Sequence, residues 1–259
     1  MKTKFLHIAT ALLFAGFTSS CSDFLDRYPL DELSDSSFWK TENDAMMAVT
    51  DIYGCLPTWD QDEDINSDNA VHGIKWAAGN ISKGIYDPMD QSWAGSYTPI
   101  RQCNLVLEKV KDIEMSDESR KKIEGQAYFF RAFVYFNLIR SFGDVPYIDK
   151  PLNLTDVEDI TRTPREEVYA KVMADFDKAI EYLPEEWDAA NTPRVTKGAA
   201  LAMKARAALY YSNWQVAADA SKAVIDLGKY ELYDAGNTGK YQELFWEKSD
   251  GCDENILYV

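Results

Sequence analysis

Histidine sets the first limit on what this chain can do. It holds only His7 and His72, and His7 lies in an N-terminal stretch with the character of a cleavable leader. A Ser-His-Asp constellation would therefore depend on His72 alone. No HExxH pair, no Cys/His cluster at ligand spacing, and no GxSxG, GxGxxG or GxxxxGK[ST] occurs. The run Asp60-Gln61-Asp62-Glu63-Asp64 starts like a calcium loop. Its sixth position is Ile65, where the turn needs glycine, and its twelfth is Val71, where a bidentate Glu is needed. It reads as a solvated acidic loop. Carboxylates are plentiful, but nothing singles out a pair spaced for glycoside hydrolysis. The chain reads as non-catalytic, with no metal site and no cofactor.

Stacking is the chemistry that remains. Trp59, Trp76 and Trp93 fall in one segment, Thr58 to Trp93, interleaved with glycines, Asp68, Asn66, Asn69 and Asn80. A pyranose ring presents an apolar C–H face that lies on an indole, and its hydroxyls need short amide and carboxylate partners. Trp76 and Trp93 are the candidate stacking surfaces, with Asn69 and Asp68 as hydroxyl partners. The competing reading makes the same indoles hydrophobic anchors that pin the segment to its neighbours.

Charge narrows the partner. Of 27 basic residues, Lys2 and Lys4 belong to the leader, and the remainder against 43 acidic residues leave a charge near −18. Such a surface repels nucleic-acid phosphates. A neutral glycan is not penalised by it.

The leader has Lys2 and Lys4, an apolar run from Ile8 to Phe17, the small residues Thr18-Ser19-Ser20, and then Cys21. This is the order of a secretory signal, and the apolar run is too short to span a bilayer. A cysteine directly after the small residues is the pattern of a bacterial lipoprotein. Acylation at Cys21 would tether the chain to membrane lipid by more than one acyl chain. The expected organisation is a signal peptide over 1–20, a lipidated tether and lead-in over 21–40, and a helical-repeat domain over 41–259. With Cys21 acylated, Cys55, Cys103 and Cys252 remain, so at most one disulfide can form, and the sequence does not say which.

Helices must carry the rest. Thr41 and Asp44 form a capping-box pattern ahead of Ala45, Val49, Ile52, Tyr53 and Leu56 at helical spacing, closed by Pro57. The segment Thr58 to Trp93 has no sustained period and reads as a long irregular excursion. Helix resumes at Tyr97 with a stripe of Ile100, Asn104, Leu107 and Val110. A long helix runs from about Glu118 to Phe142 and is closed by Gly143. A loop, Asp144 to Thr163, leads to a helix opened by Pro164 and ended at Pro184. A nearly continuous pair covers Thr196 to Tyr211 and Asn213 to Leu227, broken at Ser212 and stopped by Gly228. Ile256 to Val259 reads as the start of a strand.

The helix pairs look like tetratricopeptide repeats. Val172, Phe176, Ala179 and Pro184 fit the offsets of a second repeat helix, and Tyr128, Ala132 and Tyr135 those of a first. Leu201 and Ala205 with Ala217 and Ser221 form a looser second unit. These positions speak to packing, not to chemistry.

Several phrases together are specific. CSDFLDRYPLDELSDSSFWKTENDAMMAVTDIY, YTPIRQCNLVLEKV, EGQAYFFRAFVYFNLIRSFGDVPYI, TPREEVYAKVMADFDKAIEYLP and RVTKGAALAMKARAALY occur in this order. The chain resembles the SusD/RagB family of outer-membrane nutrient-uptake lipoproteins. The resemblance implies a mainly α fold of tetratricopeptide-like helix pairs. It implies a surface lipoprotein that captures glycan and delivers it to a SusC-like TonB-dependent transporter. Family members run about twice this length, so the chain reads as the first half of such a protein, incomplete at its C-terminus. The rival class is a tetratricopeptide-type protein-interaction scaffold at the outer membrane that binds no sugar; a cell-surface enzyme is a weaker third.

Overall fold

The computed structural model describes residues 38–56, 91–157, 159–233, 241–246 and 251–257. It divides into two compact units, Met1–Trp39 and Lys40–Val259. In the first, the rings of Phe38 and Trp39 meet edge-on at 5.2 Å. The second consists of α1 (Glu42–Ile52), α2 (Gln91–Lys109), α3 (Asp117–Phe142), α4 (Arg165–Tyr182), α5 (Lys197–Tyr210) and α6 (Trp214–Asp226).

Local chemistry fixes most of the ends. Thr41 and Asp44 form the expected capping box: the Thr41 hydroxyl accepts from Asp44 N, and the Asp44 carboxylate accepts from Thr41 N at 2.7 Å. The Thr41 hydroxyl, donating to the carboxylate at 2.9 Å, and the backbone N–H groups of Thr41 and Lys40 hold the Asp44 carboxyl below its ordinary range. Ser116 caps α3, and Gly143 closes it at φ 70°, donating to Ile139 O. Thr196 caps α5. Pro164 stands at the N-cap of α4, one residue before its first turn. Ser212 breaks the α5–α6 pair in the left-handed region at φ 57°, and Gly228 follows α6 at φ 61°.

The longest helix, α3, is buried on nearly every side, as an all-round apolar helix must be. Phe129, Phe130, Tyr135, Phe136 and Leu138 are among its sealed side chains. α1 and α2 cover one side of it, and α4 packs along another. The repeat offsets on α4 point inward: Val172, Phe176 and Ala179 are buried. Phe176 meets Phe129 edge-on at 6.2 Å between ring centroids. Gly125 is where the end of α4 comes closest, since a Cβ there would lie 3.0 Å from Leu183 Cγ and Tyr182 Cβ.

Two expectations are corrected. α2 begins at Gln91, six residues ahead of Tyr97, so Trp93 lies on a helix rather than in the excursion. Pro99 sits inside α2 and removes one ladder hydrogen bond. The edge-on packing of Trp93 on Phe142 at 5.0 Å helps hold the first turns against that loss. The strand expected over Ile256 to Val259 does not form over its described part: Ile256 and Leu257 lie in a bend. A strand needs a ladder partner, and no strand occurs among the described residues. One isolated antiparallel bridge, Val145 to Thr163, pins the crossover loop between α3 and α4.

Candidate functional site

The helices converge first on a buried polar network, which could be mistaken for a site. Arg131 of α3 grips Asp175 of α4 with two hydrogen bonds of 2.7 Å, and a third reaches Asn104 Oδ1 of α2 at 2.8 Å. The Asn104 amide then donates to Ile148 O in the crossover loop at 2.9 Å. Burial pushes the Asp175 carboxyl up while the guanidinium pulls it back, and the same contact holds Arg131 charged. These partners satisfy the network, and it joins three helices and a loop. Its role is structural.

The residues around it belong to the same clamp. Tyr135 Oη accepts from Ile148 N at 2.6 Å and returns a bond to Ile148 O. The Asp144 carboxylate accepts from Arg165 N at 3.0 Å and so caps α4. Tyr97 Oη donates to Pro146 O. The most distinctive phrase of the sequence, RAFVYFNLIRSFGDVP, thus supplies much of the scaffold.

A second clasp closes the end of α1. Tyr53 Oη donates to Gln126 Oε1 at 2.8 Å and accepts from Val195 N at 2.9 Å. Arg194 reaches Gln126 Oε1 and Thr50 Oγ1. Desolvation pushes the Tyr53 phenol up to about 12.

A groove of about 480 Å³ lies between the end of α1, the start of α2 and α3. Asp51, Gly54 and Cys55 line it from the end of α1, and Gly95, Ser96 and Thr98 from α2. Phe133, Pro99 and Val134 give the groove an apolar floor, while Asn137, Gln102 and Asp51 add amide and carboxylate groups. Gln102 donates to Asp51 across it. Gly54 and Gly95 present open backbone, with nothing within 4 Å of where a Cβ would stand. Neither nearby thiol is a nucleophile at neutral pH. Burial pushes Cys55 up to about 11 and holds Cys103 well above its ordinary value. Cys55, Cys103 and Cys252 are free thiols.

Of the expected site residues, Trp93 can be described. It is half-buried on the first turn of α2. Phe142 meets its edge, Tyr97 lies 6.1 Å away, and the Arg162 guanidinium stands 5.0 Å over the indole. Part of this ring is therefore spent on internal contacts. Trp76, Asn69, Asp68 and the lipidation candidate Cys21 lie outside the described residues. Phe133, Asn137 and Gln102 were missed by sequence reasoning. The first two sit at (i, i+4) on α3, in a run whose apolar density reads only as core. Among the described residues no group of acidic, histidine or cysteine side chains could hold a metal, and no helix is long and apolar enough to cross a membrane.

A family model described as SusD-like, starch-binding and associating with the outer membrane matches residues 24–209. A SusD-like protein of Formosa agariphila is 29% identical over 87% of this chain and 46% of its own length. A SusD-like protein of Bacteroides fragilis, solved as a crystal structure, superposes with a TM-score of 0.80 at 28% identity. That match covers 90% of this chain and 47% of the other. A laminarin-binding SusD-like protein shares the fold, with a TM-score of 0.70 at 22% identity over 84% of this chain and 51% of its own. The chain spans about half the length of the curated relatives it matches.

Proposed function

This chain belongs to the SusD-like family, and on that premise we propose that it captures poly- or oligosaccharide at the cell surface without cleaving it. It then passes the glycan to a SusC-like TonB-dependent transporter. The observation that carries this reading is the match of a starch-binding, outer-membrane-associating family across residues 24–209. The groove between α1, α2 and α3 supports it, with an apolar floor and amide and carboxylate groups at its rim. The strongly acidic composition favours an uncharged ligand over an anionic one.

In this proposal acylated Cys21 holds the protein on the outer membrane. Trp76 and Trp93 give stacking faces, and Asn69 and Asp68 bond sugar hydroxyls. Trp93 is half-buried beneath its contacts with Phe142 and Arg162, so part of the indole stays accessible. No catalytic group is assigned. Retention of the mature chain in native gels cast with neutral polysaccharides, starch and laminarin among them, tests the reading. Retardation by at least one of them is expected. A folded protein that migrates unretarded through every gel would reject glycan capture by this chain and favour the scaffold reading.

A further inference from the structure

A second concavity lies away from the groove, between the α4–α5 connection and the tail beyond α6. It encloses about 320 Å³ and is walled by residues 185–196 on one side and by 229–230 and 251–257 on the other. We propose that this cleft is a separate saccharide subsite, in which a neutral hexopyranosyl unit lies on Trp187 and its hydroxyls bond the carboxylates of the rim. The proposal rests on the glycan reading above and adds a second point of contact to it.

The aromatic walls are set before any ligand arrives. The Trp187 indole is half-buried, and its Nε1 donates to Val195 O at 2.8 Å, which fixes the ring's orientation. Tyr230 faces it from the tail. Its Oη lies 3.1 Å from Thr196 Oγ1. Its ring approaches Gly198 so closely that a Cβ there would fall 2.1 Å from the Tyr230 oxygen. Glycine at 198 is what lets this tyrosine seat. Rings held this way lose little further freedom on binding, which favours affinity.

Charge decides the ligand class. The cations on the rim are engaged: Lys229 with Glu186 at 3.0 Å, and Arg194 with Gln126 and Thr50 behind the cleft. Asp253 is an exposed acceptor, and so are Glu185 and Glu186, each with one oxygen paired, to Lys197 at 3.9 Å and to Lys229. A phosphate or carboxylate ligand would meet like charge. A purely apolar ligand would desolvate these groups without partners. A polyol with one apolar face satisfies both the ring and the acceptors. The tail wall is held in register by Glu231 N donating to Asp253 O at 3.1 Å and by Tyr233 N donating to the Glu254 carboxylate at 2.6 Å.

The test uses the mature chain with fluorotryptophan at all seven positions. Each fluorine resonance is assigned by a single Trp→Phe variant and checked for fold by circular dichroism. Titration follows with maltohexaose, laminarihexaose, xylohexaose and mannohexaose. The proposal expects a saturable shift of the Trp187 resonance with at least one of them. Asp253→Ala, on the exposed rim, should weaken that response about tenfold, the loss of one charge-assisted hydrogen bond. Movement of other tryptophan resonances with Trp187 still would overturn the cleft and leave glycan capture standing. If none of the seven moves with any sugar, both fail. An unaltered midpoint in Asp253→Ala would remove the carboxylate from the subsite and overturn the assigned geometry.

Discussion

The α3–α4 pair and the α5–α6 pair are built on the same repeat logic, and they end up in opposite environments. In the first, Phe129, Ala132, Phe176 and Ala179 are completely sealed. In the second, Ala217 and Ala220 pack α6 to its neighbour, but Trp214 stays 63% exposed and Ile225 76% exposed. Trp214, Ala218, Ser221 and Ile225 recur at helical spacing on one stripe of α6 that faces solvent. Small residues at repeat offsets bring two helices together. What seals the outer face of a pair is the next layer, and among the described residues only α3–α4 has one on each side. Stability should therefore be concentrated in the first pair, and substitutions of similar size should cost very different amounts in the two.

The harshest way to break that comparison is Ala179→Glu. It places an unpaired carboxylate in the sealed contact of α4 with α3, at a cost of about 4 kcal/mol or more. Loss of the cooperative thermal transition is expected; an unaltered Tm would refute the packing. Asp175→Ala follows, since it leaves the Arg131 guanidinium buried without its bidentate partner, a loss of about 3–5 kcal/mol in urea denaturation. The exposed counterpart is Asp226, paired with Lys222 on α6. Its change to Ala should stay within about 1 kcal/mol.

A pH scan sharpens the contrast through the tyrosine that clasps the packed half. Tyr53 ionises near 12 in the folded chain against an ordinary 10. Because the folded value is raised, its contribution is whole below pH 10 and is lost as pH rises toward 12, about 2–3 kcal/mol in all. Tyr53→Phe should flatten that part of the alkaline limb, and an equally steep limb in the variant would exclude Tyr53 as its source. The smallest effect belongs to Trp214→Ser, which should change stability by about 0.5 kcal/mol or less, as an exposed site does. A loss comparable to that of Asp175→Ala would mean the stripe is covered in solution.

Much of this scaffold was legible in the residues because its signals are local. The Thr41–Asp44 box, the Gly143 and Gly228 stops, the break at Ser212 and the inward offsets of Val172, Phe176 and Ala179 each depend on a few neighbours in sequence. The failures are long-range. The Arg131–Asp175 pair escaped the sequence reading because its partners lie 44 residues apart. Gly95 and Pro99 argue against helix before Tyr97, yet Trp93 packs on Phe142 across the fold, and the helix starts early. The terminal ILYV looks like strand by composition, but no pairing edge among the described residues meets Ile256 and Leu257. Of the candidate site, Trp93 falls in the described structure, while the groove residues Asn137 and Phe133 were hidden in a helix that looks entirely structural.

The central claim is that the excursion side of α2 captures glycan while the α3–α4 pair carries the fold. Calorimetric titration of the Trp76→Ala/Trp93→Ala double variant, against whichever polysaccharide retards the parent chain, tests it most directly. The account predicts that binding is lost while Tm falls by less than it does in Asp175→Ala, since Trp93 is only half-buried. Undiminished binding in a folded double variant would contradict the assignment. So would a collapse of Tm as deep as that of Asp175→Ala, because the indoles would then be anchors of the scaffold.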